Sequence, residues 1–294
     1  MRRGKARGRA TGDYTGRITI IQRFVVAGIV AISVVLPGVR PNVAAAQLPS
    51  QPAASLDEAS RLFYSGRYEE SAAMAQVLRD ADPDSLAPYE LRTSALHFRI
   101  KREVSGAADK KDAFRKCAPC AEWLAALKTD IAAGRTRARD RVKANPNDTE
   151  ALFFLGKIDL THVWLHLETL GQRTGWSEYW EARRSLDAVL AREPGHIRAA
   201  VARAWIDYIV DTRVPRGFRW MLGGGNRKGA LETARVSASA PGADLYTRAE
   251  AGFALWEMLT REKRITEATV VARDLQREFP ENRELARFLK LPDA

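Results

Sequence analysis

The only two cysteines of the chain, Cys117 and Cys120, are separated by Ala118 and Pro119. Two thiols at this spacing at the start of a helix have lowered pKa values and can close a small ring. A thioredoxin-like site would need a surrounding βαβ pattern, which the flanking sequence lacks, and a c-type haem site would need a histidine where Ala121 stands. In an exported chain the spacing favours a local disulfide that fixes the start of a helix. A redox or thiol-exchange role is the alternative.

Two histidines, His162 and His166, share one face of a predicted helix with Asp159. His-x-x-x-His is a common half-site for zinc, because both imidazoles point to one spot. Cys117 and Cys120 could complete a Cys2His2 site if the helices packed favourably. Packing is the favoured interpretation of the histidines, so we expect no metal and no cofactor here.

A glycine-rich stretch at 222–228 enters a predicted helix and ends in Asn226, Arg227 and Lys228. Free backbone amides at a helix start, beside two cations, could hold a phosphate or a carboxylate. A phosphate-binding P-loop would follow a strand and end in Gly-Lys-Ser/Thr, and this stretch does neither. The favoured interpretation is a flexible insert with Asn226 as a helix cap, and an anion site is the alternative.

The elements that must position these residues are amphipathic helices. Within 148–194, apolar residues recur three and four apart in two segments. No stretch of the chain alternates for long with the period of two that strands require. The sequence therefore predicts an all-α fold.

Prolines recur at the ends of the predicted units, and a small residue stands twelve positions before each of them. The prolines are Pro83, Pro146, Pro194, Pro241 and Pro280, and the small residues are Ser71, Gly134, Ala182, Gly229 and Ala268. At this position the second helix of a pair crosses the first, and a small side chain lets the two backbones approach closely.

Several of these residues resemble the tetratricopeptide repeat. Leu155-Gly156, Ala182 and Pro194 match its Leu-Gly, Ala and Pro pattern, and the segment 66–70, Gly-Arg-Tyr-Glu-Glu, is similar to the Gly-x-Tyr-Glu-Glu turn of the family. The resemblance covers 55–290 and implies a right-handed α-solenoid of about five helical pairs with a C-terminal capping helix. The third and fourth units carry inserts of about 14 residues between their paired helices, at 163–176 and 211–224.

In this family, fixed positions of the first helix of each pair line a concave groove. Carried onto the third and fourth units, these positions include Phe153, Lys157, Arg198, Trp205 and Tyr208. Aromatic anchors with neighbouring cations would suit a protein or peptide partner. Two alternatives are that a partner binds the edge formed by the inserts, and that the inserts fold back and bury these aromatics.

Residues 1–46 have the layout of a secretory signal peptide. Seven basic side chains precede residue 24, an apolar run follows at 24–36, and three alanines at 44–46 supply small residues at a cleavage site before Gln47. The apolar run is shorter than the roughly 20 residues of a membrane span. We therefore expect a periplasmic or secreted protein with a signal peptide at 1–46, a linker at 47–54 and a repeat domain at 55–294. An uncleaved N-terminal anchor is the alternative, and membrane contact is expected only in that case.

Much of the formal net charge of +11 belongs to the predicted signal peptide. Residues 1–46 contain eight Lys or Arg and one Asp, so that 39 basic and 35 acidic residues follow them. A surplus of that size is ordinary for a soluble surface, whereas nucleic-acid binding calls for a concentrated basic face. We therefore expect no nucleic-acid partner, and we interpret the densest basic run, 135–139, as a solvated helix face.

No Ser/His/Asp or paired-carboxylate arrangement stands out, so an enzyme is not expected. The sequence predicts a non-enzymatic scaffold in the cell envelope that binds a protein or peptide partner through its groove or insert edge. One alternative is a metal- or thiol-dependent function at Cys117, Cys120, His162 and His166. Another is a structural protein held by an uncleaved anchor.

Overall fold

A computed structural model describes residues 54–172 and 175–290. All regular structure in these two ranges is helical and no strand occurs there, which confirms the predicted all-α class. The predicted signal peptide and nearly all of the predicted linker lie outside the described residues. Within the described ranges, no helix has both the length and the apolar character needed to cross a membrane.

Helices follow one another along the chain with short connections. Their bounds are α1 Leu56–Tyr64, α2 Tyr68–Ala81, α3 Ala87–Val104, α4 Lys110–Lys116, α5 Cys120–Ala144, α6 Thr149–Trp164, α7 Trp176–Arg192, α8 Ile197–Arg213, α9 Arg227–Ala238, α10 Leu245–Arg261, α11 Ile265–Glu278 and α12 Arg283–Phe288. A π-helical turn, Leu165–Thr169, continues α6, and a 3-10 segment, Arg216–Leu222, lies between α8 and α9.

Polar side chains at the helix starts explain where several helices begin. Asp148, Asp244 and Asn282 accept hydrogen bonds from backbone N–H groups in the first turns of α6, α10 and α12. These N–H groups have no acceptor inside the helix, so a side-chain oxygen at this position stabilises the helix start. The boundaries are thus set by local side-chain chemistry as well as by apolar periodicity.

Helices that follow one another in the sequence pack against each other, and small residues let them approach closely. Taken in the predicted pairs, α1 contacts α2, α3 contacts α5, α6 contacts α7, α8 contacts α9 and α10 contacts α11. Successive pairs also contact each other, through α2 and α3, α5 and α6, α7 and α8, and α9 and α10. At Gly156, an added Cβ would lie 2.9 Å from Leu186 Cγ and 3.3 Å from the carbonyl oxygen of Ala182. At Gly252 it would lie 3.0 Å from Leu275 Cδ2. A larger side chain at Gly156 would force α6 and α7 apart.

The first helices of the pairs also contact one another, and the last of them returns to α1. Helix α3 contacts α1 and α6, α8 contacts α10, and α10 contacts α1. At this last contact, Tyr64 lies against Tyr246 and Phe253, with ring centroids 6.2 and 5.6 Å apart. Asn282 Nδ2 also donates a hydrogen bond of 2.7 Å to the carbonyl oxygen of Tyr64. The first and last pairs of the described chain therefore meet.

The two cysteines lie at disulfide-bonding distance between α4 and α5. Cys117 and Cys120 are joined, with 5.4 Å between their Cα atoms. Cys117 ends α4, and Cys120 is the first, fully buried residue of α5. The pair therefore joins the end of α4 to the start of α5, where the spacing favoured a local disulfide.

Two turns of the same shape use different residues at the left-handed position. Gly66 between α1 and α2 has φ +75°, and Lys263 between α10 and α11 has φ +59°. In both turns the next residue donates its N–H to a carbonyl five positions back, Arg67 to Leu62 and Arg264 to Leu259. Glycine adopts this conformation without steric cost, whereas a side chain with a Cβ is strained there.

We therefore expect Lys263→Gly to raise the free energy of unfolding by about 1 kcal/mol, because the left-handed conformation costs a non-glycine residue about that much. The reciprocal control is Gly66→Ala, which should lower it by about the same amount. Urea unfolding followed by circular dichroism measures both. Equal stability of Lys263→Gly and the wild type would contradict the strain assigned to Lys263.

Candidate binding cavity

The inner faces of α1, α3, α6, α8 and α10 line one cavity of about 710 Å³. Its lining combines aromatic and charged side chains that come from separate helices. Among the aromatic ones are Tyr64, Phe98, Trp205, Phe253 and Trp256. The Nε1–H group of Trp256 is buried and has no hydrogen-bond acceptor among the described residues.

A cluster of four charged side chains spans the cavity wall. Glu90, Lys157, Arg198 and Glu250 come from α3, α6, α8 and α10 respectively. Arg198 Nε lies 2.6 Å from Glu250 Oε2, and Arg198 Nη2 lies 3.3 Å from Glu90 Oε2. Lys157 Nζ contacts Glu250 and lies 3.5 Å from Glu90 Oε1. Each base therefore contacts both acids, and the cluster carries no net charge.

The ionisation of Glu250 follows from these partners. Burial alone would raise the pKa of its carboxyl group, but Lys157 and Arg198 outweigh burial and lower this pKa to about 2. Burial would lower the pKa of the Arg198 guanidinium, yet Glu250 and Glu90 raise it. Both groups therefore stay charged at neutral pH because they are paired, as buried charges must be.

A second set of charges lies at the other end of the inner helices. Arg261 Nη2 lies 2.7 Å from Glu257 Oε1 and 2.9 Å from Glu168 Oε2. Lys101 Nζ lies 3.4 Å from the same oxygen of Glu257. The Arg261 guanidinium stands 5.3 Å from the centre of the Trp205 ring, within range of a cation–π contact. This set connects α3, α10 and the π-helical turn after α6.

His97 contributes a neutral polar group to the lining. Its Nε2 lies 2.9 Å from Thr169 Oγ1 on the π-helical turn. Burial, with a smaller effect of Lys101, lowers the pKa of His97 to about 3, so the imidazole is uncharged at neutral pH. The π-helical turn of the first insert is thus held onto α3 by an uncharged hydrogen bond.

The five groove residues expected from the sequence divide between cavity and core. Lys157, Arg198 and Trp205 line the cavity. Phe153 and Tyr208 are buried, with 3% and 1% of their surfaces exposed. Tyr208 stacks on Trp205 and donates a hydrogen bond of 3.0 Å to Glu262. The ring of Phe153 lies 4.9 Å from the Arg198 guanidinium carbon. These two rings therefore support lining residues from behind.

The sequence carried a signal for lining residues that we did not single out. Three lining residues, Tyr246, Phe253 and Trp256, are spaced along α10 as Arg198, Trp205 and Tyr208 are along α8. Applying the same helix positions to the first helix of every pair would have found these α10 residues. Glu90 and Glu250 carry no comparable signal, because their importance depends on distant partners, such as Arg198, which stands 108 positions after Glu90.

The two histidines of the alternative metal site lie close to each other. The rings of His162 and His166 lie 4.5 Å apart, and His166 Nδ1 is 2.7 Å from Gln172 Oε1. Asp159 instead contacts Arg135, whose Nε is 2.7 Å from its Oδ1. Among the described residues, no group of three or more His, Cys, Asp or Glu side chains is arranged to hold a metal ion.

At the alternative anion site, the start of α9 already lies beside a carboxylate of the same chain. Asn226 Oδ1 accepts a hydrogen bond from the Gly229 N–H group, as the helix cap that we favoured. The backbone N–H of Arg227 donates to Asp211 Oδ2 at 2.8 Å, and its guanidinium lies 3.0 Å from Glu262. Lys228 is exposed.

The basic run at 135–139 lies partly against acidic residues of α6 and α7. Arg135 contacts Asp159, Glu178 and Glu181, and Arg139 contacts Glu181. Asp159 is fully buried. Burial and the neighbouring Glu181 raise the pKa of Asp159 to about 9, despite Arg135. With Asp159 protonated at neutral pH, two carboxylates balance the two guanidinium groups.

Comparisons with protein-family models, with curated proteins and with solved structures each found no match. The cavity must therefore be interpreted from its own geometry and chemistry.

We expect Glu250→Gln to lower the free energy of unfolding by about 3 kcal/mol at pH 7, because two partly buried cations lose a charged partner. The folded-state pKa of Glu250 lies below the ordinary value of 4.5, so its contribution is complete above pH 4.5 and is lost as the pH falls towards 2. As the pH falls below 4.5, the free energy of unfolding should therefore decrease less for Glu250→Gln than for the wild type. Urea unfolding at several pH values measures this difference.

The matched control for Glu250→Gln is Glu232→Gln, at an exposed carboxylate that pairs only with Arg235 on its own helix and is 62% exposed. We expect Glu232→Gln to change stability by less than about 0.5 kcal/mol. If the two variants lost equal stability, the cluster across the inner helices would not have the role assigned to it.

We expect Asp159→Asn to stabilise the protein, by about 1 kcal/mol or more at pH 8. The folded state keeps a proton on Asp159 up to about pH 9, whereas the unfolded chain releases it near 3.8. Stability of the wild type should therefore fall as the pH rises through this window, and the neutral amide removes that fall. Thermal unfolding between pH 5 and 9 tests this, with Asp187→Asn as the surface control. A less stable Asp159→Asn at pH 8 would contradict the expectation.

Proposed function

We propose that this chain is a non-enzymatic binding protein of the cell envelope, which receives a short apolar segment of a protein partner in the inner cavity. The observation that carries the proposal is the convergence of aromatic side chains from five separate helices on one cavity of about 710 Å³. A volume of this order is typical of pockets that enclose ligands. It suits a few side chains of a partner and is too small for a folded domain.

We further propose that the helical pairs form a right-handed α-solenoid of the tetratricopeptide-repeat kind, with α12 as its capping helix. Sequential pairing, the close approach of Gly156 to Ala182 and the inward position of the first helices support this proposal. Repeat proteins of this kind present a concave surface for partners. Here α10 returns to α1, so the proposed partner enters a cavity with closed sides.

The apolar character of the proposed segment follows from the pairing of the lining charges. Lys157 and Arg198 already bind Glu90 and Glu250. An anionic ligand would have to break these ion pairs, and separating a buried pair is costly. The aromatic faces beside the pairs suit apolar or aromatic side chains.

One donor is available to orient the segment. Trp256 lines the cavity, and its buried Nε1–H group has no acceptor among the described residues. A shift of the ring towards the cavity would let a backbone carbonyl of an extended segment accept this hydrogen bond, which would relieve the cost of burying an unpaired donor. Location in the cell envelope is proposed from residues 1–46 alone.

The proposal predicts that the protein selects peptides with adjacent apolar or aromatic residues from a displayed library of short peptides. Filling the cavity by Ala254→Trp should weaken binding of a selected peptide at least about tenfold, since the new ring occupies the space of the ligand. Ala254 lines the cavity and is only partly buried, so the change leaves helix packing intact. Fluorescence anisotropy of labelled peptides measures the affinity.

The matched control is Val270→Trp, which adds a ring at an exposed position of α11, where the valine is 55% exposed. Its affinity should equal that of the wild type. Selection of no peptide, or equal binding by Ala254→Trp and the wild type, would overturn the proposed function.

A further inference from the structure

The 3-10 segment Arg216–Leu222 presents large apolar side chains to solvent. Phe218 is 60% exposed, Trp220 is 75% exposed and Met221 is 53% exposed. Scattered exposed apolar residues are normal on protein surfaces, but three within four positions of one turn form a patch.

The loop that carries this patch is held by hydrogen bonds. Trp220 Nε1 donates to the carbonyl oxygen of Gly217 at 3.0 Å, and Arg219 Nε donates to that of Val214 at 2.9 Å. Tyr179 of α7 donates to the carbonyl oxygen of Leu222 at 2.7 Å. The apolar side chains are therefore exposed by a loop that hydrogen bonds hold in place, within the loop and from α7. Such a loop can enter a poorly hydrated environment at a low cost.

A third exposed aromatic residue belongs to the same region. Trp176, which is 55% exposed, shares a face of α7 with Tyr179 and Arg183. Arg183 Nη2 donates to the carbonyl oxygen of Gly223 at 2.7 Å, next to the Tyr179 contact. The end of the first insert thus lies one helical turn from the point where the second insert is attached. We call Trp176, Phe218, Trp220 and Met221, together with Arg213 and Arg216, the insert surface.

The charge of the chain concentrates around the insert surface. Residues 211–228 contain five basic residues and one acidic residue, whereas the rest of the chain beyond residue 46 contains 34 of each. The single acid, Asp211, contacts Arg219 and the backbone N–H of Arg227. Arg213 and Arg216 are exposed and form no ion pair in the part of the chain that the structure describes. Arg227 pairs with Glu262, so that Lys228 is the third exposed base of this range without an ion pair among the described residues.

We propose that the insert surface binds the surface of an anionic lipid bilayer. Tryptophan and phenylalanine insert readily at the boundary between headgroups and acyl chains. Exposed arginines beside them attract anionic headgroups and form charge-assisted hydrogen bonds with phosphate oxygens. Exposed aromatic side chains, an internally bonded loop and a local excess of bases fit this partner together.

The same charge distribution argues against a second copy of the chain as the occupant. Two insert surfaces facing each other across a symmetric dimer would bring the excess of bases of each copy together, and this repulsion opposes association. The inference is also independent of the cavity, whose lining residues lie on the inner helices, and of the fate of residues 1–46.

The proposal is tested by vesicle flotation with the full chain. We expect stronger binding to vesicles of phosphatidylcholine mixed with phosphatidylglycerol than to phosphatidylcholine alone, and weaker binding at high salt. Phe218→Ser/Trp220→Ser should lower the partition coefficient for the anionic vesicles at least about tenfold. The matched control, Val236→Ser/Val270→Ser, changes exposed valines of α9 and α11 and should bind as the wild type does.

A second variant pair separates charge from apolar contact. Arg213→Gln/Arg216→Gln should weaken binding to anionic vesicles about 25-fold, at roughly fivefold per charge, and leave binding to neutral vesicles unchanged. The apolar run at 24–36 is present in every variant, so its own affinity for lipid contributes equally to all.

Fluorescence gives an independent readout of insertion. Quenching by lipids brominated on their acyl chains should be strong for the wild type and reduced in Trp220→Phe, which keeps the apolar contact but removes the reporting indole. Equal binding of the wild type to neutral and anionic vesicles would overturn the proposal. Unchanged vesicle binding by Phe218→Ser/Trp220→Ser would also overturn it. A third contradicting result would be that this variant loses a dimer that the wild type forms but keeps its binding to lipid.

Discussion

The ion cluster of Glu90, Lys157, Arg198 and Glu250 is the constraint on which the inner face depends. It joins four helices that belong to four different pairs and that no single connection links. Buried charges are tolerated only when each is matched, so the cluster specifies how the four helices lie against one another. Because each base of the cluster contacts both acids, these four charges can be buried beside aromatic side chains.

Contact between α1 and α10 changes how the helical pairs share their stability. In an open stack each unit depends on its neighbours alone, and the stability is close to a sum of local terms. Here Tyr64 packs on Phe253, and Asn282 bonds to the backbone of Tyr64, across almost the whole described length. These contacts make the ends depend on each other. The inner charges reinforce that dependence, because they too connect residues that are distant in sequence.

Features that arise from nearby residues were predictable from the sequence, and features that arise from distant ones were not. The helical class, the turn at Gly66, the cap at Asn226 and the role of the cysteine pair follow from short-range patterns, and all are present. Lys157, Arg198 and Trp205 lie at the cavity because helical geometry fixes the face on which they stand. Tyr208 stands on the same predicted face but is buried, and its hydroxyl group donates a hydrogen bond to the Glu262 carboxylate at the end of α10. Only the packing of α10 against α8 decides that outcome. Asp159 shows the same limit: its charge state depends on Arg135 and Glu181, which lie on two other helices.

The chain separates two kinds of aromatic surface by their charges. Around the cavity the aromatics stand beside Lys157 and Arg198, which are paired with acids, whereas at the insert surface they stand beside bases in excess. The two surfaces are mechanically connected, because Tyr179 and Arg183 hold the second insert on α7, and α7 packs against α6 of the cavity wall. Contact of the insert surface with a bilayer would therefore fix the orientation of the cavity relative to that bilayer. A partner segment would then bind in the cavity at a defined distance from the lipid surface. Positioning the cavity in this way would be the role of the two inserts, and the helical pairs alone could not perform it.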